Sequence, residues 1–497
     1  MKRMKKLVTL GLSMLLAACI ITGFAPQKAL ASADADRFKD PMTLTYVVAN
    51  GEEYLDAAEV YAKVGEIVKE KTNTTLEFKF VSFDNYNTFI SSGEKYDMIG
   101  VVSWLSFWDF VQSEAFAVIP DQMITDNAPW MAQQLDGYLK QDTLNGKRYG
   151  ISEFATEHTS YSYVVRGDLM AKYGIEKVEN WQDIIHYLDV IAASDESLIP
   201  FNLNSIYTLP SIYTQENGMM NIGGLNATAP MAYNIDANDG KLIDHMKLPE
   251  AVEFVARSQE WAAKGYWSKS ALSNKVNLNS AFLEGVSALA DCNLDQANML
   301  AKQIEEAGNE WDLKVIPKAM NYALSSNGSG IAFYNGITEE RMARALAVLD
   351  VLKGDVEVNK LMMNGIEGKH YEQIGPNLKL PLDDKGYGWQ VIGVADTNNF
   401  MFAGGVIPGY SEIIEKIRAN LKPDVLTDIA IDTSSIDVEG AALLDIFNEY
   451  IAPAFLGLVD GDPQAIIDDI NARRAAAGVD KYIAEVQRQV DEFLAGN

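Results

Sequence analysis

Only two cysteines and four histidines occur in 497 residues, too few for a disulfide framework or a centre of histidine and thiolate ligands. His158, His186, His245 and His370 never fall at ligand spacing, so no metal is expected from them. A carboxylate Ca²⁺ site stays open, although no segment matches an EF-hand loop. Positive charge is also scarce: 41 Lys and Arg face 69 Asp and Glu, a formal charge of −28. That balance disfavours nucleic acid and anionic lipid as partners, and its ordinary role is to keep a chain in solution. Past the N-terminus no segment reaches the ~18 to 20 apolar residues that cross a bilayer. Repeats of about 20 to 50 residues, charge runs and low-complexity linkers are missing, which argues against a solenoid or beads on a string.

What is present starts at the N-terminus. Lys2, Arg3, Lys5 and Lys6 precede an apolar run from Leu7 to Ala18, the layout of a secretory signal. Two processing sites compete. Leu16-Ala17-Ala18-Cys19 is a lipobox that would place a lipid on Cys19, whereas Ala29-Leu30-Ala31 before Ser32 has the small-residue form of an ordinary cleavage site. The signal is therefore read as 1–31, with 1–18 as the lipoprotein alternative, and the protein as extracytoplasmic, either held at the cell surface through Cys19 or secreted after Ala31. Loss of Lys2, Arg3, Lys5, Lys6 and Lys28 takes the charge from −28 to −33 and leaves Cys292 without a disulfide partner. Roughly 465 mature residues suffice for a large core in two or more lobes.

Strand-like and helix-like segments alternate. Leu44-Thr45-Tyr46-Val47-Val48 is rich in β-branched and aromatic residues and ends at the Asn50-Gly51 turn. Val60, Val64, Ile67 and Val68 recur at helical spacing, Thr75 to Val81 returns to a strand, and Tyr96 to Val102 is another short apolar run. Longer helices are expected over Pro249 to Lys264 and Glu339 to Leu352, and in a terminal stretch where Ile483, Val486, Val490 and Leu494 share a face. The class is α/β.

At Asn145-Gly146-Lys147-Arg148-Tyr149-Gly150-Ile151 the chain resembles the extracellular solute-binding proteins of sugar importers, with Ser152 where that motif usually has Pro. Tyr96-Asp97-Met98, Tyr163 to Leu169, Asn180-Trp181-Gln182-Asp183, Ala281 to Ala288 and Leu313 to Pro317 fall in the family's order. Asn364 to Tyr371 and the ending from Gly478 to Phe493 look like the long oligosaccharide-binding members found in Gram-positive bacteria. The resemblance spans nearly the whole mature chain. It implies a two-lobed, periplasmic-binding-protein-like fold of type II, hinged by about three crossings near Ser152, Asp291 and Ser326. The N-terminal lobe would hold 36–152 and 291–325, and the C-terminal lobe 153–290 and 326–497. It further implies an oligosaccharide ligand, ABC permease subunits as partners, a monomer, no cofactor, and membrane contact only through a lipid anchor.

A sugar needs paired donors and acceptors for its hydroxyls and flat apolar surfaces for its ring faces. In open α/β sheets ligands bind at the carboxyl ends of strands. After the first strand come Asn50, Glu52, Glu53 and Tyr54; after the third come Ser103, Trp104, Phe107 and Trp108. Spacings of three and four would bury about two of those three rings on a helix, and Trp104, nearest the strand end, is the expected exception. Past the first crossing, Ser160, Tyr161 and Tyr163 are candidates, with one tyrosine expected in the core. Asn204, Tyr207 and Tyr213 lie in a Pro-containing stretch read as an irregular loop. Asp291 and Asn293 would face the cleft from the second crossing, or simply bond the hinge. The resemblance places the region of Glu367, Trp389, Asn398 and Asn399 against the ligand, although Asp396-Thr397-Asn398-Asn399 departs from the family's Trp-Gly-Asn.

Asn327-Gly328-Ser329-Gly330 lacks the Lys-Ser/Thr ending of a phosphate loop, and neither a nucleophile elbow nor a zinc motif occurs. Binding rather than catalysis is expected; a glycoside hydrolase would need two suitably spaced carboxylates, which sequence cannot measure. A sensory rather than a transport partner, and a peptide or polyol ligand, remain the alternatives.

Overall fold

The computed structural model describes residues 38–495 except 135–140, 155–156, 159–160, 195–196, 223–224, 226–229, 319–322, 325–328, 376–377, 384, 389–392, 397–398, 400, 404–406, 408 and 423. Two sheets organise it. Their strands are β1 (Met42–Asn50), β2 (Thr74–Ser82), β3 (Met98–Val101), β4 (Ile151–Ser152), β5 (Tyr161–Val165), β6 (Ile199–Phe201), β7 (Ser287–Asn293), β8 (Lys314–Pro317) and β9 (Gly330–Phe333). The first sheet runs β2-β1-β3-β9-β4, with β1 parallel to both its neighbours and β9 antiparallel to β3 and β4. The second runs β8-β5-β7-β6. The chain is thus α/β in two lobes, as expected.

Each central strand is apolar on both faces because helices cover both. On β1, Leu44 and Tyr46 enter one core with the helix Glu339–Gly354, while Val47 and Ala49 enter another with Tyr86, Phe107 and Trp108, as the two-residue period of a strand requires. The second sheet repeats the arrangement: Tyr163, Val165 and Leu289 face one cluster, Val164, Ala290 and Cys292 the other. A further cluster joins Met220, Tyr233 and Ile235 to Leu426, Ile429, Ile431, Tyr482 and Val486 of the C-terminal region.

Sheet membership divides the chain differently from the expected lobe boundaries. Asp291 pairs with Tyr163 inside the second sheet, and Lys314–Pro317 continues that sheet. The chain therefore does not change lobes at Asp291, and 291–317 packs with the second lobe. Gly330–Phe333 pairs with β3, and its following helix packs on the first sheet, so 330–354 lies in the first lobe. The runs at 44–48, 75–81 and 96–102 do contain strands, whereas 314–317 and 330–333 carried no strand expectation, and which sheet accepts a strand depends on partners distant in sequence.

The crossings fall between β4 and β5, between β8 and β9, and after Asp396. The first two pair as a ribbon, Glu157–His158 against Ala323–Leu324. Phe154 bridges Asp396. Beneath them lies Lys353, fully buried, whose Nζ donates to the Ser152 carbonyl at 2.9 Å and to the Gly393 carbonyl. Glu153 accepts from the Gly393 amide at 2.6 Å, and its own amide donates to Ser329 O at 3.0 Å. Gly393 has φ +94°, and a Cβ there would lie 2.3 Å from the Gly330 carbonyl oxygen, so only glycine lets these two crossings touch.

Burial pushes the Lys353 ammonium down to about 8, against the opposing pull of Glu153, Asp142 and Asp396. Lys353→Met leaves Glu153 buried without its cation and should cost about 3 to 5 kcal/mol in chemical denaturation. Asp350, on the same helix, accepts from Met131 N at 2.8 Å and Trp130 N at 3.3 Å, and burial raises its carboxyl to about 6. From about pH 4 to 6 the folded form therefore holds a proton that the unfolded form has lost, and stability from this group falls as pH rises through that window. Asp350→Asn keeps an acceptor and should flatten the profile, worth at most about 2 to 3 kcal/mol at pH 7.

Candidate functional site

A cavity of about 770 Å³ is lined from both lobes. The first lobe contributes Ser103, Trp104, Ser106, Trp108, Asp109 and Gln112; the second contributes Tyr161 and Tyr207. Its far wall comes from the C-terminal region, chiefly Thr433, Ile436, Asp437 and Tyr482.

Local structure explains the aromatic rim. β3 ends at Val101, a short turn Ser103–Leu105 follows, and Ser106 takes a left-handed conformation with φ 61° before the helix Phe107–Gln112 begins. The break turns the chain so that Phe107 and Trp108 drop into the core while Trp104 stays 63% exposed. Trp104 is held edge-on by Phe83, with ring centroids 4.9 Å apart. Tyr161 opens β5 and is exposed, whereas Tyr163 is buried. Tyr207 stacks on Phe447, centroids 5.8 Å apart and planes 16° from parallel. Three aromatic faces, one from the first lobe and two from the second, thus converge on one space.

Polar groups complete it. The buried Tyr482 phenol is raised by desolvation and by the carboxylates of Asp437 and Asp109, so both acids lie near it. Trp108 lines the cavity, and its buried indole N–H has no hydrogen-bond partner among the described residues. Two carboxylates and no Lys, Arg or His line the cavity among the described residues. Such a site offers acceptors to hydroxyl donors and stacking faces to ring carbons, and it repels anions.

Of the expected site residues, Ser103, Trp104, Tyr161 and Tyr207 meet here, and others stand elsewhere. Asn50 closes its own turn, accepting from Gly51 N at 2.7 Å and donating to Glu52 O at 3.0 Å; Glu52 is exposed beside it. Asp291 pairs with Lys318 at 2.8 Å, next to Tyr161 and Tyr163 but not on the cavity wall. Asn293 caps the helix Leu294–Glu306 in a reciprocal capping box with Gln296. Glu367 is exposed at a tight turn bridged to Tyr371, and Asn399 is buried in a turn with Asp396. Trp389, Asn398, Ser160 and Cys19 lie outside the described residues. Tyr213, read as part of an irregular loop, is buried in the helix Thr208–Glu216, which tolerates Pro210 in its first turn.

Asp109, Gln112, Thr433, Asp437 and Tyr482 were missed. Asp109 and Gln112 follow Trp104 on the next turns of chain, a signal available in the sequence. Nothing local marks the other three.

Two α/β lobes joined by backbone crossings, with aromatics of both around one cleft, define a hinged binder of small solutes. Residues 51–289, just under half of the chain, match the bacterial extracellular solute-binding proteins. Residues 426–495 match a domain of unknown function, DUF3502. A carbohydrate ABC transporter substrate-binding protein of Streptococcus pneumoniae serotype 4 is 21% identical over 474 residues, 93% of this chain and 92% of that protein. Among solved structures, the N-glycan transport solute binding protein (NgtS) of Streptococcus pneumoniae superposes with a TM-score of 0.70 at 18% identity, covering 92% of this chain and 99% of that one. The Streptococcus pneumoniae ABC-transporter substrate binding protein FusA, in complex with kestose, gives 0.61 at 16%, covering 92% and 100%.

Asn293→Ala removes a helix cap rather than a ligand contact. It should lower stability by about 1 kcal/mol in thermal denaturation and leave ligand affinity unchanged in calorimetry.

Proposed function

We propose that this protein captures a neutral oligosaccharide in the cleft between its lobes and presents it to the permease of an ABC importer. The observation that carries this is the meeting of Trp104, Tyr161 and Tyr207 from both lobes around a cavity of about 770 Å³ that also holds Asp109, Gln112 and Asp437. That volume exceeds what a monosaccharide fills and suits a ligand of a few rings. Aromatic faces stack on sugar rings while carboxylate and amide groups take the hydroxyls. An acidic lining disfavours uronic acids and phosphorylated sugars, because each would bring a second negative charge into a site with no cation to meet it.

A ligand that touches both walls only when they approach binds the closed form better than the open one, and so shifts the population toward closure. The closed form is the state a permease would recognise. The basic start and apolar run of 2–18 support export, with Cys19 lipidation tethering the protein beside its importer. The relatives' names, a carbohydrate ABC transporter substrate-binding protein and an N-glycan transport solute binding protein among them, support the ligand class.

A thermal-shift screen against neutral and acidic oligosaccharides, followed by calorimetry, tests this. A neutral ligand at 100 times its dissociation constant should stabilise by about 2.7 kcal/mol, and its uronic-acid analogues should not. Trp104→Ala should weaken binding by about 1 to 3 kcal/mol with little loss of stability. Silence across the panel, or release of hydrolysis products, overturns the proposal.

A further inference from the structure

Residues 429–433 follow the turn that ends at Asp428, belong to no helix or strand, and lie between the lobes. Ile429 and Ile431 enter the core that holds Met220, Tyr233 and Ile235 of the second lobe. Ala430, one residue out of phase, packs on the first lobe's cluster around Phe107, Phe116 and Leu144. The two-residue period thus gives the segment one face for each lobe.

Hydrogen bonds follow the same division. Toward the second lobe, Gln489 of the helix Val479–Ala495 holds Asp432 by both backbone groups, accepting from its amide and donating to its carbonyl at 2.8 Å each. Toward the first lobe, Asn145 Nδ2 donates to Asp432 Oδ2 at 2.9 Å, Gln141 Nε2 to Asp428 Oδ1 at 3.1 Å, and Thr433 Oγ1 to Gln112 Oε1 at 3.3 Å. Hydrogen bonds from Ser434 and Asn145 hold the Asp432 carboxyl below its ordinary range, against the effect of partial burial, as a charge-assisted partner should be. Thr433, at the end of the segment, and Ile436 and Asp437 just beyond it line the same cavity as Trp104.

We infer that segment 428–433 is a non-covalent clasp between the lobes, and that Asn145 and Asp432 are positioning residues whose bond sets how closely that wall approaches Trp104. This assigns a role to the start of the segment that matches a domain of unknown function: it joins the lobes at a place apart from the backbone crossings. The consequence for affinity rests on the oligosaccharide proposal above; the clasp itself does not.

The two claims separate in one experiment. Spin labels at Glu70→Cys in the first lobe and Glu176→Cys in the second report the interlobe distance by pulsed electron resonance, with Cys19→Ser throughout and Cys292 buried away from reagent. Asn145→Asp sets two carboxylates against each other. It should lengthen the distance in ligand-free protein, weaken saccharide binding roughly tenfold and speed dissociation. Adding Asp432→Asn reverses donor and acceptor across the pair and should restore both distance and affinity. Asn145 has φ 51°, so Asn145→Gly removes the side chain without backbone strain and should loosen the lobes in the same direction, by less. An unchanged distance in Asn145→Asp, or no rescue by the second substitution, overturns the clasp. Distances that respond and recover while no saccharide binds uphold the clasp and overturn the oligosaccharide proposal.

Discussion

The buried ammonium of Lys353 is the contact on which the rest of the architecture depends. It reaches the carbonyls of Ser152 and Gly393 from beneath, and so ties the first and third crossings to the helix Glu339–Gly354 of the first lobe. A lysine in that position is costly to desolvate, and it is tolerated because Glu153 and two backbone carbonyls surround it. The Glu153 carboxylate in turn holds the Gly393 amide. The first and third crossings are therefore bonded to each other and to the first lobe at one buried point.

From that point the two lobes each extend a different kind of surface. The first presents Trp104 and the polar residues of one short helix, all placed by the end of β3. The second presents tyrosines from the start of β5 and from the beginning of a helix, and then borrows a third wall from residues far along the chain. The first lobe supplies one aromatic face with two carboxylate or amide side chains, and the second supplies two further aromatic faces. On the proposed function, ligand affinity is coupled to the distance between lobes, the property that a capture protein exploits. The clasp at 428–433 belongs to this logic, since the residues that bridge the lobes run directly into residues that line the cleft.

Much of this was legible in the sequence, and the reasons it was or was not are physical. Helical spacing buries two of Trp104, Phe107 and Trp108 and leaves Trp104, nearest the strand end, as the exception; burial agrees, although the turn at Ser106 that achieves it has no mark in the spacing. Tyr161 and Tyr163 divided between surface and core as expected. Polar residues at element ends were harder, because the same side chains that suit a sugar also cap helices and close turns. Asn293 and Asn50 went to those local uses, and Asp291 went to Lys318. A cap needs a partner only two or three residues away, whereas a ligand contact needs a cleft, and composition alone does not distinguish them.

By itself the sequence determined the local grammar: strands where β-branched residues alternate or cluster, helices where apolar residues recur every three or four, and a strongly acidic balance of charge. These follow from interactions between near neighbours, which periodicity records directly. Tertiary structure decided which sheet received 291–317 and 330–354, and that Thr433, Asp437 and Tyr482 would line one cavity with Trp104. Those outcomes depend on pairings across hundreds of residues, selected by the burial of whole faces, for which no short segment carries a mark.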